Sequence, residues 1–123
     1  MRQLLQSFAG TLSAGLGDDH EEPAAAAPFV YATAIGSNAG LVRSLAGITL
    51  IAREIGFERE AETLYSTDAL SATYHAQHNQ AGVALAVEVC PPRQTVSLAV
   101  SGSDNAETYR LFLEADTRLF GNC

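Results

Sequence analysis

At 123 residues, 47% of them hydrophobic and 17% charged, the chain can bury one core and lacks the composition of a disordered tail. Its net charge of −7 disfavours nucleic acid and anionic lipid as partners and favours a protein carrying basic segments. The two cysteines, Cys90 and Cys123, have no framework spacing, so they indicate neither a disulfide scaffold nor a zinc site, and a reducing cytoplasm is the expected setting.

Leu4, Leu5, Phe8, Leu12 and Leu16 recur at helical spacing, which predicts an amphipathic helix over 2–16. Gln6, Ser7, Thr11 and Ser13 interrupt its apolar run, so it does not read as a signal peptide. Asp18 to Pro28 is an acidic, alanine-rich linker over 17–28. His20 among its carboxylates is a solvated residue on this reading, because nothing fixes those groups at ligand distances. No uninterrupted apolar run approaches the roughly 18 residues that a membrane span needs.

Phe29–Ile35 has strand composition between Pro28 and Gly36. Gly36-Ser37-Asn38-Ala39-Gly40 is a turn without the lysine of a phosphate loop. Residues 41–56 admit two readings. Leu41, Leu45, Ile48, Ala52 and Ile55 fit one helix face, while Gly47 and the β-branched Ile48-Thr49-Leu50-Ile51 fit two short strands.

Ala61, Leu64, Tyr65, Ala69, Ala72 and Ala76 can line one face of a helix over 59–76, with Glu58, Glu60 and Glu62 at its start. A strand around 63–67 is the other reading of that stretch. On a helix His75 and His78 would be neighbours, but no further ligand accompanies them, so surface histidines are expected there.

Val83, Leu85, Val87 and Val89 alternate with Ala84, Ala86, Glu88 and Cys90. After Pro91-Pro92, Val96, Leu98 and Val100 alternate with Thr95, Ser97, Ala99 and Ser101. Period two over both runs predicts an antiparallel strand pair with one aliphatic and one small face. Asp104 and Glu107 have capping-box spacing at the head of a helix over 104–120, and Gly121 is placed to stop it. No nucleophile elbow, metal cluster or basic-aromatic patch is present in the sequence. The acid pairs Glu60/Glu62 and Glu114/Asp116 are ordinary for exposed surfaces. No catalytic residue, cofactor or metal site is expected.

With strands over 41–56 the order is α-βββ-α-ββ-α: one α+β domain, 1–123, its antiparallel sheet flanked by three helices and its core in 29–120. In that order the chain resembles the class I effector chaperones of bacterial type III secretion. Arg2-Gln3-Leu4-Leu5-Gln6-Ser7-Phe8 looks like their opening helix, and Leu50-Ile51-Ala52-Arg53-Glu54-Ile55-Gly56 like the third strand and the step into the middle helix. Leu64-Tyr65 through Leu70-Ser71-Ala72 is similar to that middle helix, and Gly82-Val83-Ala84-Leu85-Ala86-Val87 to the strand after it.

The resemblance implies a non-enzymatic homodimer that holds a secreted effector partly unfolded. Ala61, Leu64, Tyr65, Ala69 and Ala72 would form the dimer contact, and the first-helix stripe Leu5, Phe8, Leu12 and Leu16 would take part in partner binding. If 38–56 is instead one helix, the order looks more like a Roadblock-type module, a small dimeric scaffold that regulates or tethers other proteins. Only 29–35 then stands where that family has a strand pair. A small-molecule pocket assembled from scattered positions has no motif here to mark it.

Overall fold

Alternation and helical spacing lay down the elements of residues 27–121, the part of the chain described by the computed structural model. They are β1 (Phe29–Gly36), α1 (Leu41–Glu54), β2 (Phe57–Tyr65), β3 (Ala72–His78), β4 (Val83–Cys90), a 3₁₀ turn (Pro91–Arg93), β5 (Thr95–Gly102) and α2 (Asn105–Phe120). The sheet order is β1-β5-β4-β3-β2, every neighbouring pair antiparallel. Strands β2 to β5 form a meander, and β1 returns to pair with the last of them. The predicted helix over 2–16 and linker over 17–28 lie outside the described residues, apart from the final Ala27 and Pro28.

The strand pair over 83–101 forms as its alternation predicts. Val83, Leu85, Val87 and Val89 of β4 and Val96, Leu98 and Val100 of β5 are buried, and the residues between them are half-buried or exposed. Cross-strand partners such as Val87 and Leu98 put the large side chains on one face. Both α1 and α2 cover that face: Leu45, Ile48 and Ala52 pack down from α1, and Thr108, Leu111 and Ala115 from α2. Arg118 of α2 donates to Glu54 Oε1 of α1 at 2.6 Å, tying the helices together.

Within residues 41–56, Leu41–Glu54 is one helix, so the two strands and the three-strand block of the α-βββ-α-ββ-α order are not found. The helical spacing of Leu45, Ile48 and Ala52 decides the outcome, because it buries three side chains together. Strand alternation would instead have grouped Ile48 with Leu50, which is 60% exposed. Thr49 is accommodated by its hydroxyl, which donates to the Leu45 carbonyl at 2.8 Å.

The predicted helix over 59–76 is also absent. That stretch is the β2–β3 hairpin. Ala72, Tyr74 and Ala76 are buried at period two, alternating with Thr73, His75 and Gln77. The regular alanines that suggested a helix stripe are here one face of a strand. The turn is built by Ser66 and Asp68: Ser66 Oγ donates to Asp68 Oδ1 at 2.7 Å, and the Leu70 N–H donates to the same oxygen at 3.0 Å. These two bonds, the Ser66 one first, hold the Asp68 carboxyl below the usual carboxylate range.

Helix α2 starts as its capping box predicts, with Asp104 accepting from the Glu107 N–H at 2.9 Å. It stops at Gly121, whose φ is +78° and whose N–H bonds the Thr117 carbonyl. Its first turn rests on Gly102 at the end of β5. A Cβ there would lie 2.5 Å from Thr108 Oγ1 and 2.9 Å from the Gly82 carbonyl oxygen. Because the second obstacle is backbone, Gly102→Ala is expected to destabilise the domain by about 1–3 kcal/mol in urea unfolding.

The phenol of Tyr74 donates to the Phe57 carbonyl at 2.8 Å. Burial pushes its pKa up, with a nearby Arg53 opposing the shift. Tyr74→Phe leaves that carbonyl without its donor and should cost about 1–3 kcal/mol. The raised phenol contributes stability that is present below the unfolded value near pH 10 and lost as pH rises through the higher folded value. Stability measured from pH 9 upward should therefore fall more steeply in the wild type than in Tyr74→Phe.

Candidate protein-interaction surfaces

A sheet with helices on one face leaves its other face and its edges as possible contact surfaces. The face away from the helices carries Val30, Ala32 and Ala34 of β1, Thr95, Ser97, Ala99 and Ser101 of β5, Ala84, Ala86, Glu88 and Cys90 of β4, and Thr73, His75 and Gln77 of β3. Among the described residues no helix covers it. Most of its side chains are short and uncharged; Glu88, a His75–Glu62 contact at 3.5 Å and Arg59, which bonds Gln77 at 2.9 Å, are charged or ionisable features of it.

The two edges are unlike. Strand β2 is bulged twice, between Phe57 and Arg59 and between Arg59 and Glu62, with Glu60 at φ +54°. It exposes Glu58, Glu60 and Glu62. Bulges and charges are the usual means of blunting an edge. Strand β1 has neither. It pairs with β5 in unbroken register from Phe29 to Gly36, carries no charged residue, and exposes Phe29 and Val30. Above it Tyr31 packs against Tyr109 and Phe112 of α2, at ring separations of 4.9 and 5.8 Å. The Tyr31 hydroxyl donates to Asn105. Tyr109 and Leu113, 46% and 43% exposed, extend this apolar surface outward from the strand.

The expected dimer residues do not share a helix face. Ala61, Leu64 and Tyr65 lie on β2 and Ala69 in the following turn, all exposed. Ala72 is 2% exposed, paired with Tyr65 and Val89 in the core, so it is not available to a second chain. The partner-binding stripe of Leu5, Phe8, Leu12 and Leu16 lies outside the described residues. His75 and His78 point to opposite faces of β3, three positions apart on a strand. His78 Nδ1 accepts the Gln80 and Ala81 N–H groups at 3.2 and 3.1 Å, and its ring meets the edge of Phe57. That is a turn-fastening role. The sequence reading did not single out the β1–α2 surface; the absence of charge in 29–36 was its visible signal.

A cleft of about 200 Å³ opens between α1 and α2, lined by Ile35, Arg43, Gly47, Ile51, Val96 and Phe120 among others. Arg43 is its one charged side chain, so it holds no acid–base pair. No group of three or more His, Cys, Asp or Glu among the described residues is placed to hold a metal ion. No described helix is long and apolar enough to cross a membrane. Compared with protein-family models, with curated proteins and with solved structures, the chain matches none.

The two faces of the sheet should respond differently to charge. Val96→Lys places an ammonium under the helices and is expected to unfold the domain, whereas Ser97→Lys on the open face should leave its circular dichroism and melting temperature close to wild type.

Proposed function

We propose that this chain is a non-enzymatic, dimeric protein-binding module of the Roadblock-type scaffold kind, acting in the cytoplasm on a protein partner. The observation that carries the reading is the single helix Leu41–Glu54 between β1 and a four-strand meander. It is the element order that the scaffold reading required. A single strand, β1, stands before that helix, where the family has a pair. The cleft, with Arg43 as its one charged lining side chain, fits a surface that binds without reacting.

The effector-chaperone reading loses the strands over 41–56 and the middle helix over 59–76 on which it rested. It keeps one support, the uncharged edge of β1, which suits addition of an extended segment from a partly unfolded protein. The acidic charge would steer basic segments in either case and would act mainly on the association rate.

Affinity capture with the intact chain from its source cells separates these readings. A GTPase or kinase that stays bound after a salt wash supports the scaffold. A secreted protein encoded beside this chain, bound through a segment of tens of residues, supports the chaperone. Turnover of a small substrate by the purified chain would remove both.

A further inference from the structure

We infer that the cleft between α1 and α2 is a binding site for a small monocarboxylate with an aromatic or branched apolar body, its carboxylate on the Arg43 guanidinium and its body among the apolar side chains of the cleft. The inference goes beyond the protein-binding reading above and does not depend on it.

The size and lining of the cleft set the body of the ligand. Ile35 comes from the end of β1, Ile48 and Ile51 from α1, Val96 from β5, and Leu119 and Phe120 from the last turn of α2. All six are apolar, and four elements meet to bring them together. The space of about 200 Å³ compares with the roughly 150 Å³ that takes up a benzene ring, so a body of about six to eight carbons is the match. Sites for larger ligands begin at about 300 Å³.

The polar lining sets the head group. Ser37, Ser44 and Arg43 line the cleft, and no carboxylate does. Arg59, Arg110 and Arg118 each have a side-chain partner in the fold, whereas Arg43 has none among the described residues. A guanidinium keeps its charge at any ordinary pH and presents paired donors to a planar carboxylate. The Ser37 oxygen accepts the Ala39 N–H at 3.2 Å, which leaves its own proton to donate. One cation and two hydroxyls match a single negative charge. A phosphate dianion would find no second cation in the cleft of a chain whose net charge is −7. Arg43 is exposed, so the head group stays partly hydrated and the guanidinium contributes selectivity more than tight binding.

Gly47 supplies a further observation. It sits in the middle of α1, one turn on from Arg43, and it lines the cleft. A β-carbon there would meet nothing within 4 Å, so close packing does not require the glycine. Glycine is the poorest residue for a helix interior after proline. What it leaves here is open space on the cleft side of the helix. The cleft also lies away from the point where the preceding chain enters the fold: six residues of strand, about 20 Å, separate Phe29 from Ile35.

The test is a titration of the full chain at neutral pH with benzoate, followed by the methyl resonances of isoleucine, leucine and valine. The signals of Ile35, Ile51, Val96 and Leu119 should shift together and saturate with a Kd on the order of millimolar. Benzamide, neutral and of the same shape, should bind about fivefold more weakly. Arg43→Gln should bring benzoate down to the level of benzamide, and Arg93→Gln, outside the cleft, should leave it unchanged. Gly47→Leu should keep the wild-type circular dichroism and abolish the shifts by filling the space. If Gly47→Leu loses helix, the Arg43→Gln and benzamide comparisons still decide. A cleft whose methyl signals do not respond to about 20 mM benzoate, far above the expected Kd, overturns the inference, whether it is empty or filled by another part of the chain. Equal binding of benzoate and benzamide, or shifts confined to residues elsewhere, overturns it as well.

Discussion

Everything in this domain depends on the separation of large from small side chains along β4 and β5. From Val83 to Gly102 the buried positions fall at every second residue of each strand, and the helices have one place to go. Burial of each Val or Leu on that face is worth about 1.5–3 kcal/mol, so the helix-covered side is strongly preferred. A register slip of one residue would put Glu88 and Ser97 under the helices and the valines in solvent. Register, helix placement and the identity of the open face therefore follow from one pattern.

A one-sided sheet has consequences for its surroundings. The covered face holds nearly all of the described core, so stability comes from there, and the open face and edges are under weaker packing constraint. Short side chains on the open face expose little apolar area per residue and give it little hydrophobic adhesion of its own. The edges differ because backbone groups left without partners are adhesive whatever their side chains. The bulges and carboxylates of β2 discourage pairing, and β1 offers uninterrupted backbone instead.

Much of this was legible in the sequence, and the failures are informative. The β4–β5 pair, β1 and the capped α2 were read correctly because alternation, a proline turn and a capping box are local signals of high contrast. Residues 41–56 stayed ambiguous because β-branched residues lower helix propensity while their spacing was helical; packing of Leu45, Ile48 and Ala52 against the sheet decided between the two. The error over 59–76 came from alanine. Alanine is the best helix former and also fits a strand where a neighbouring helix presses close, as α1 does over β3. The cluster Ser66-Thr67-Asp68 was the turn signal that should have outweighed it. The β1 edge was the least legible feature, since an edge is a property of strand order and strand order is not local.

The strand order also explains why the aromatic cluster sits where it does. Strand β1 lies beside β5 at the far side of the meander, and among the described residues it has one neighbour where β4 and β5 have two. An edge strand held on one side needs additional anchoring to stay registered. Tyr31 supplies it, through its hydroxyl on Asn105 and its ring against Tyr109 and Phe112. The same residues that fasten β1 to α2 present an apolar wall above the strand's free backbone. Anchoring and exposure are thus one feature: the groups that hold the edge in place also extend an apolar surface beside it. On β2 those two properties are separated. Arg59 bonds Gln77 at 2.9 Å and the Asn79 amide bonds Glu58 at 3.1 Å, so polar side chains do the fastening and the edge beyond them stays charged.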